Sequence, residues 1–146
     1  MIGKNNYMTL GYSWIVKKNI LSPNGALSVI GLPSTKHQTF KRLFYITKAP
    51  RLSIRGEHAH KLCTQIMMCL KGQIEVNIDD GTNKETLILS EHSEALLLPP
   101  GLWSSQKYLT DDSLLIVLAD IDFDENEYIR NYQDFLNWVN NHDAIK

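Results

Sequence analysis

Along most of the chain, apolar and polar residues alternate in short runs closed by turn signals. This is the period-two pattern of half-buried strands. In "TFKRLFYIT", Phe40, Arg42, Phe44 and Ile46 fall on one face, and Lys41, Leu43 and Tyr45 on the other. "ALSVIGL" follows the turn "SPNG", and "LSIRGEHAH" reads as a further strand with a short connection after it around Lys61–Thr64. "QIMMCL" and "QIEVNIDD" flank Lys71-Gly72, which predicts a tight hairpin. In the second of these strands Ile74, Val76 and Ile78 face inward, and Gln73, Glu75, Asn77 and Asp79 face out. "DDGTN" turns the chain into "ETLIL", prolines close "EALLLPPG", and "LLIVLAD" is apolar almost throughout, as a buried strand is.

The period changes near the end. In "DENEYIRNYQDFLNWVNNH", Asp124 and Glu127 are spaced as a helix N-cap and its N3 partner. Ile129, Tyr132, Leu136 and Val139 then recur at helical spacing. The prediction is an all-β sandwich or barrel over roughly 22–122, with one C-terminal helix over roughly 125–141. No repeat, linker or low-complexity stretch divides residues 1–146, so we expect one domain.

Composition narrows the partners. The 146 residues are 43% hydrophobic and 21% charged, as in ordinary soluble globular proteins. A net charge of -1 supplies no basic field for nucleic acid. No apolar run approaches the ~18 residues of a membrane helix, and the opening "MIGKNNYMTLGYSWIVKKN" lacks the apolar core and cleavage site of a signal peptide. Cys63 and Cys69 lie too close along one extended stretch to bridge each other. Reduced core thiols in a cytoplasmic protein are the simplest expectation.

The chemistry concentrates at His58 and His60. Four residues separate His60 from Gln65, and six more separate Gln65 from Gly72. Later, Pro99-Pro100-Gly101 is followed by Leu102, Trp103 and Ser104. Both stretches resemble the two signature motifs of the cupin barrel, where His-X-His, a Glu and a later His hold a metal. Here Gln65 stands in the place of the carboxylate and Ser104 in that of the third histidine. An amide and a hydroxyl complete a poor donor set, so we expect no metal and no cofactor. Two histidines can instead be satisfied polar residues at a barrel mouth, or proton carriers that divide the work of enolisation beside a carbonyl. No dinucleotide fingerprint, P-loop or nucleophile elbow offers another chemistry.

"TFKRLFYI", "RGEHAHKLCTQIMMCLKGQIEVNIDDG", "LLLPPGLWSSQKY", "LLIVLAD" and "ENEYIRNYQDFLNWV" together resemble the WxcM-like sugar nucleotide 3,4-ketoisomerases. The resemblance covers roughly Ser22 to Val139. It implies a small cupin jelly roll, a homodimer, and a TDP-linked 4-keto-6-deoxyhexose as substrate. The ketone would move from C4 to C3 without a metal, supplying 3-amino-3,6-dideoxy sugars for O-antigen (lipopolysaccharide) or S-layer glycans. His58 matches the family's proposed base, His60 its second histidine, and Arg42 the arginine of the preceding strand.

Two departures stand out. Some members carry two adjacent tyrosines where this chain has Phe44 and Tyr45, and the first of them is proposed to shuttle a proton between the C3 and C4 oxygens. Phe44 cannot do so, which leaves His60, Tyr108 or water, or an impaired activity. Ser104 replaces a histidine common after the tryptophan, and "WSSQKY" resembles the branch of the family with a Gln and a Tyr further on, which implies Gln106 and Tyr108 as candidate pocket residues. For a nucleotide diphosphate, Arg42 and Arg55 are the cations nearest the histidines. Arg55 can equally be a surface charge. Trp103 can stack on thymine or a sugar ring, or serve as a core residue. Gln65 completes the candidate pocket. The alternative reading is a cupin module that binds a nucleotide sugar without turnover.

Overall fold

The computed structural model describes residues 10–33 and 39–143. The strands are β1 (Ser13–Ile15), β2 (Lys17–Ser22), β3 (Gly25–Ile30), β4 (Arg42–Ile46), β5 (Ile54–His60), β6 (Gln65–Lys71), β7 (Gln73–Asp79) and β8 (Lys84–Ser90). They continue with β9 (Ala95–Leu98), β10 (Trp103–Tyr108), β11 (Leu114–Ala119) and β12 (Tyr128–Ile129). The helix α1 spans Tyr132–Asp143. Two five-stranded sheets, ordered β1-β9-β6-β11-β4 and β12-β5-β10-β7-β8, pair antiparallel throughout, and β2 and β3 form a separate ribbon. The expected jelly-roll sandwich is present, and β1 extends it upstream of residue 22.

The alternation read from the sequence sets the core. Ile74, Val76 and Ile78 of β7 meet Met67 and Cys69 of β6 and Leu115 and Val117 of β11 between the sheets. Leu43 and Tyr45 of β4 point outward, while Phe44 and Ile46 pack on the core. Cys63 and Cys69 are buried and free. A second cluster joins Ala59, Ile129 and Phe135 to Trp103, Tyr132 and Leu136, and seats α1 on the outer face of β5 and β10.

Two expectations change. Lys71-Gly72 does not form a hairpin: β6 pairs with β9 and β11, whereas β7 pairs with β10 and β8. Gly72 instead carries the chain from one sheet to the other. Its φ is +80°, and a Cβ there would lie 2.3 Å from Thr110 Oγ1 and 2.9 Å from Ser113 Cα. The helix also begins later than residue 125. Asp124 caps a single 3-10 turn, Glu125–Glu127, and Tyr128–Ile129 then pairs with β5. Asn131 caps α1, its side chain accepting from the Asp134 N–H at 3.0 Å. Ile129 therefore belongs to a strand, and Asp124 and Glu127 are not a helix capping box. Among the described residues, no helix is long and apolar enough to cross a membrane.

Candidate active site

The site is aimed by an irregularity in β5. His58 pairs with Ser104 and Gly56 with Ser105, so Glu57 is an extra, bulged residue. Gly56 and Glu57 both have positive φ, +83° and +56°. A Cβ on Gly56 would approach Gln106 Oε1 to 2.7 Å and the Ser104 carbonyl to 3.0 Å. Plain alternation would set Arg55 and His58 on opposite faces. The bulge turns both inward, Arg55 opposite Gln106 and His58 opposite Ser104.

They line a cavity of about 320 Å³ at one end of the sandwich. Its polar wall is His58, Arg55, Gln106 and Tyr108, and its other wall includes Phe44, Gln65, Met67 and Val117. Tyr128 and Arg130 from the C-terminal segment also line it. Gln65 and Gln106 are buried, and Gln106 donates to Ser104 Oγ at 3.3 Å. The Tyr108 ring is fully buried, yet among the described residues its hydroxyl has no hydrogen-bond partner. Burial pushes that phenol up to about 12.

Behind His58 runs a hydrogen-bonded chain. His58 Nε2 lies 3.2 Å from His60 Nε2. His60 Nδ1 bonds Glu127 Oε1, and Glu127 Oε2 accepts the backbone N–H groups of Lys61, Leu62 and Cys63 at 3.1, 3.2 and 3.4 Å. Burial, then the neighbouring His60, lowers His58 to about 4, while the Gly56 carbonyl works the other way. Burial also lowers His60, opposed by Glu127. Both rings are thus neutral at neutral pH. Because Glu127 accepts at both oxygens, His60 carries its proton on Nδ1 and accepts from His58 Nε2. His58 Nδ1 is buried, and the Gly56 carbonyl is the backbone acceptor beside that ring. The Tyr128 ring covers the pair, its centroid 5.0 Å from His58 and 4.5 Å from His60. Arg130 lies over Tyr128 at 4.5 Å and pairs with Glu125.

The structure therefore gathers His58, Arg55, Gln65, Gln106 and Tyr108 around one cavity, with His60 behind His58. Two expected site residues lie elsewhere. Trp103 is on the opposite face of β10, edge-on to Tyr132 at 5.3 Å, because strand alternation sends it under α1. Arg42 sits between Phe44 (5.4 Å) and Phe123 (5.7 Å), where its charge reaches His60. Its Nε and Nη2 are buried and have no hydrogen-bond partner among the described residues.

Glu127, Tyr128 and Arg130 are residues that the sequence reading left out of the site. Ligating atoms of His60, Cys63 and Glu127 lie within 4.8 Å of one another. They suit a metal poorly: both Glu127 oxygens and His60 Nδ1 are engaged, and burial holds the Cys63 thiol up at about 11, far from a thiolate.

The family model described as "FdtA: WxcM-like, C-terminal" matches residues 11–140. A TDP-4-oxo-6-deoxy-alpha-D-glucose-3,4-oxoisomerase from Aneurinibacillus thermoaerophilus is 31% identical over 122 residues, covering 84% of this chain and 88% of that one. Two solved structures are similar. One is a mutant of the 3,4-ketoisomerase QdtA from Thermoanaerobacterium thermosaccharolyticum in complex with TDP-4-keto-6-deoxyglucose, at 28% identity and TM-score 0.83, covering 92% and 97% of the two chains. The other is WlaRA, a TDP-fucose-3,4-ketoisomerase from Campylobacter jejuni, at 33% identity and TM-score 0.77, covering 90% and 97%.

Proposed function

Because the chain belongs to the FdtA family (WxcM-like, C-terminal), we propose that it is a sugar nucleotide 3,4-ketoisomerase converting TDP-4-keto-6-deoxy-D-glucose to a TDP-3-keto-6-deoxyhexose. The observation that carries the mechanism is a neutral His58 on the cavity wall, backed by His60 and Glu127. His58 takes the proton from C3 while the C4 carbonyl oxygen gains one, giving an enediol. The reverse steps at C4 and O3 give the 3-ketone. The imidazolium formed on His58 donates to His60, and the Glu127 carboxylate stabilises the charge through that ring. Arg55 and Arg130, both at the cavity, supply guanidinium groups for the diphosphate. No step needs a metal, and the donor set around His60 favours none. A 3-ketone is the substrate an aminotransferase requires, which places 3-amino sugar formation next in sequence.

A homodimer fits the surface. The β2–β3 ribbon exposes Ile20, Leu27 and Val29 on one face, and β4 exposes Leu43 and Tyr45, apolar surface that a second copy would cover. Sedimentation at a single dimeric mass is expected, and a monomeric mass would refute this assembly.

The test of function is incubation with the 4-keto substrate and a 3-aminotransferase. Turnover is expected, with deuterium entering C4 in heavy water, and His58→Asn is expected to abolish it while TDP binding survives. Phe44 favours one alternative, a module that binds the nucleotide sugar without isomerising it. Binding by the wild type with no turnover would establish that alternative.

A further inference from the structure

The reaction proposed above builds negative charge on one atom. When His58 takes the proton from C3, the electron pair of that C–H bond forms the C3–C4 double bond, and the carbonyl electrons settle on O4. A hydrogen-bond donor already held at O4 lowers that barrier. His60 and Glu127 back the base, and Arg55 and Arg130 are placed for the diphosphate. None of these groups is assigned to O4.

The two facing walls of the cavity are unlike. The wall that carries His58 is polar, with Arg55 and Gln106 beside it. The wall opposite, from β4, β6 and β11, is built of Phe44, Ile46, Met67, Leu115 and Val117. Among the described residues, Gln65 is the one buried hydrogen-bonding side chain set into that apolar surface; Tyr45 lies at the rim, 65% exposed. The chain connection fixes where Gln65 stands. Only Lys61–Thr64 separates the end of β5 from the start of β6, and Glu127 holds three of its N–H groups. Gln65 is the first residue of β6, so it enters the opposite wall at the histidine end of the cavity.

Gln65 is only 5% exposed, and among the described residues its carboxamide makes no hydrogen bond. A buried carboxamide ordinarily spends its N–H2 and its oxygen on partners. One that lines a cavity without them is paired when the ligand arrives. The group sets a donor beside an acceptor. An α-hydroxy ketone sets an acceptor, O4, beside a donor, the C3 hydroxyl. We propose that the Gln65 carboxamide grips the C3–C4 hydroxy-ketone of the bound sugar, its N–H2 donating to the C4 carbonyl oxygen and its Oε1 accepting from the C3 hydroxyl. It transfers no proton. It holds the reacting carbons across the cavity from His58, and its bond to O4 strengthens as charge grows there. The amide that makes a poor metal ligand therefore suits an enediolate, because it offers a donor that a carboxylate lacks.

This inference rests on the proposed function, so turnover of the 4-keto sugar by the wild type in the coupled assay comes first. Gln65→Met keeps the volume and removes both polar groups. Its kcat is expected to fall by about 10²–10³, as when one donor to a developing oxyanion is lost. TDP affinity should be unchanged, because TDP lacks the hydroxy-ketone. The melting temperature should not fall, because no bond within the protein is lost. On a His58→Asn background, where the sugar is not consumed, Gln65→Met should weaken TDP-4-keto-6-deoxyglucose roughly tenfold. A Gln65→Met enzyme with kcat within about threefold of an active wild type overturns the grip and leaves the function intact. A kcat loss matched by an equal loss of TDP affinity also overturns it, showing a side chain that only shapes the cavity. If Gln65→Met does not fold, Gln65→Glu keeps the shape and replaces the donor with a second acceptor. Its kcat should fall at least as far, and a value within about threefold of wild type overturns the proposal. A wild type that binds but does not turn over overturns the proposed function and this role with it.

Discussion

Replacing Glu127 by glutamine or alanine separates its two duties. The carboxylate serves four donors: His60 Nδ1 and the N–H groups of Lys61, Leu62 and Cys63. Lys61 and Leu62 are exposed and can turn to water, whereas His60 and Cys63 are buried. In Glu127→Ala, two buried donors lose their acceptor at roughly 1–3 kcal/mol each. About 2–6 kcal/mol is roughly 5–20 °C of melting temperature at this size. Glu127→Gln keeps a carbonyl oxygen for the backbone trio but presents an NH2 to the Nδ1–H of His60. Either two donors face each other, or His60 flips to its Nε2–H tautomer and reverses the chain to His58. A wrongly held tautomer at a catalytic histidine costs up to about 10⁴ in kcat. We therefore expect Glu127→Gln to melt within a few degrees of wild type while kcat falls at least a hundredfold. A Glu127→Gln enzyme within threefold of wild-type kcat would refute the coupling of Glu127 to the base.

Three further outcomes follow from the structure. Gly72→Ala should cost about 2–4 kcal/mol in urea unfolding, since a Cβ would overlap Thr110 and Ser113 at a backbone angle that alanine disfavours; an unchanged midpoint would contradict the corner. The His58 pKa in the folded protein, about 4, lies below its unfolded value of 6.5, so the unfolded chain takes up the proton first. Stability is then fully present above pH ~6.5 and falls by up to about 3 kcal/mol toward pH ~4, and His58→Asn should flatten that slope in urea titrations at successive pH. Purified without chelator, the protein should hold less than about one tenth of an equivalent of transition metal, given its donor set; stoichiometric metal by elemental analysis would refute the metal-free mechanism.

Much of this site is legible in the alternation of single strands. The period-two pattern of "RLFYI" turned Phe44 inward and Tyr45 outward, as found. Gln106 and Tyr108 came from the family resemblance and line the cavity, whereas Trp103, whose place after the proline turn suggested a pocket mouth, lies under α1. What alternation cannot express is which sheet a strand joins, so Lys71-Gly72 reads alike as a hairpin or as a corner. Nor can it express a bulge: Arg55 reached the pocket only because Glu57 is skipped, and the signal for that was Gly56 two residues before His58. The spacing of Asp124 and Glu127 suits a helix cap and a 3-10 turn equally. The strand-favouring Tyr128-Ile129 and the second capping residue, Asn131, were the marks that the helix had yet to begin.

The pairing of β12 with β5 also sets an order of assembly. The remaining strands of both sheets are complete by Ala119, but Glu127 is 67 residues from the histidine it supports. On a ribosome, with chains growing at about 5–20 residues per second, the strands of the barrel emerge before the carboxylate does. In the finished protein, β12 is a two-residue edge strand held to β5 and backed by α1. Detaching it removes Glu127, Tyr128 and Arg130 together and leaves the rest of both sheets intact. Such an opening exposes less than global unfolding does, so the candidate site is expected to open at a lower temperature than the fold. Heat should silence the enzyme while the barrel still stands.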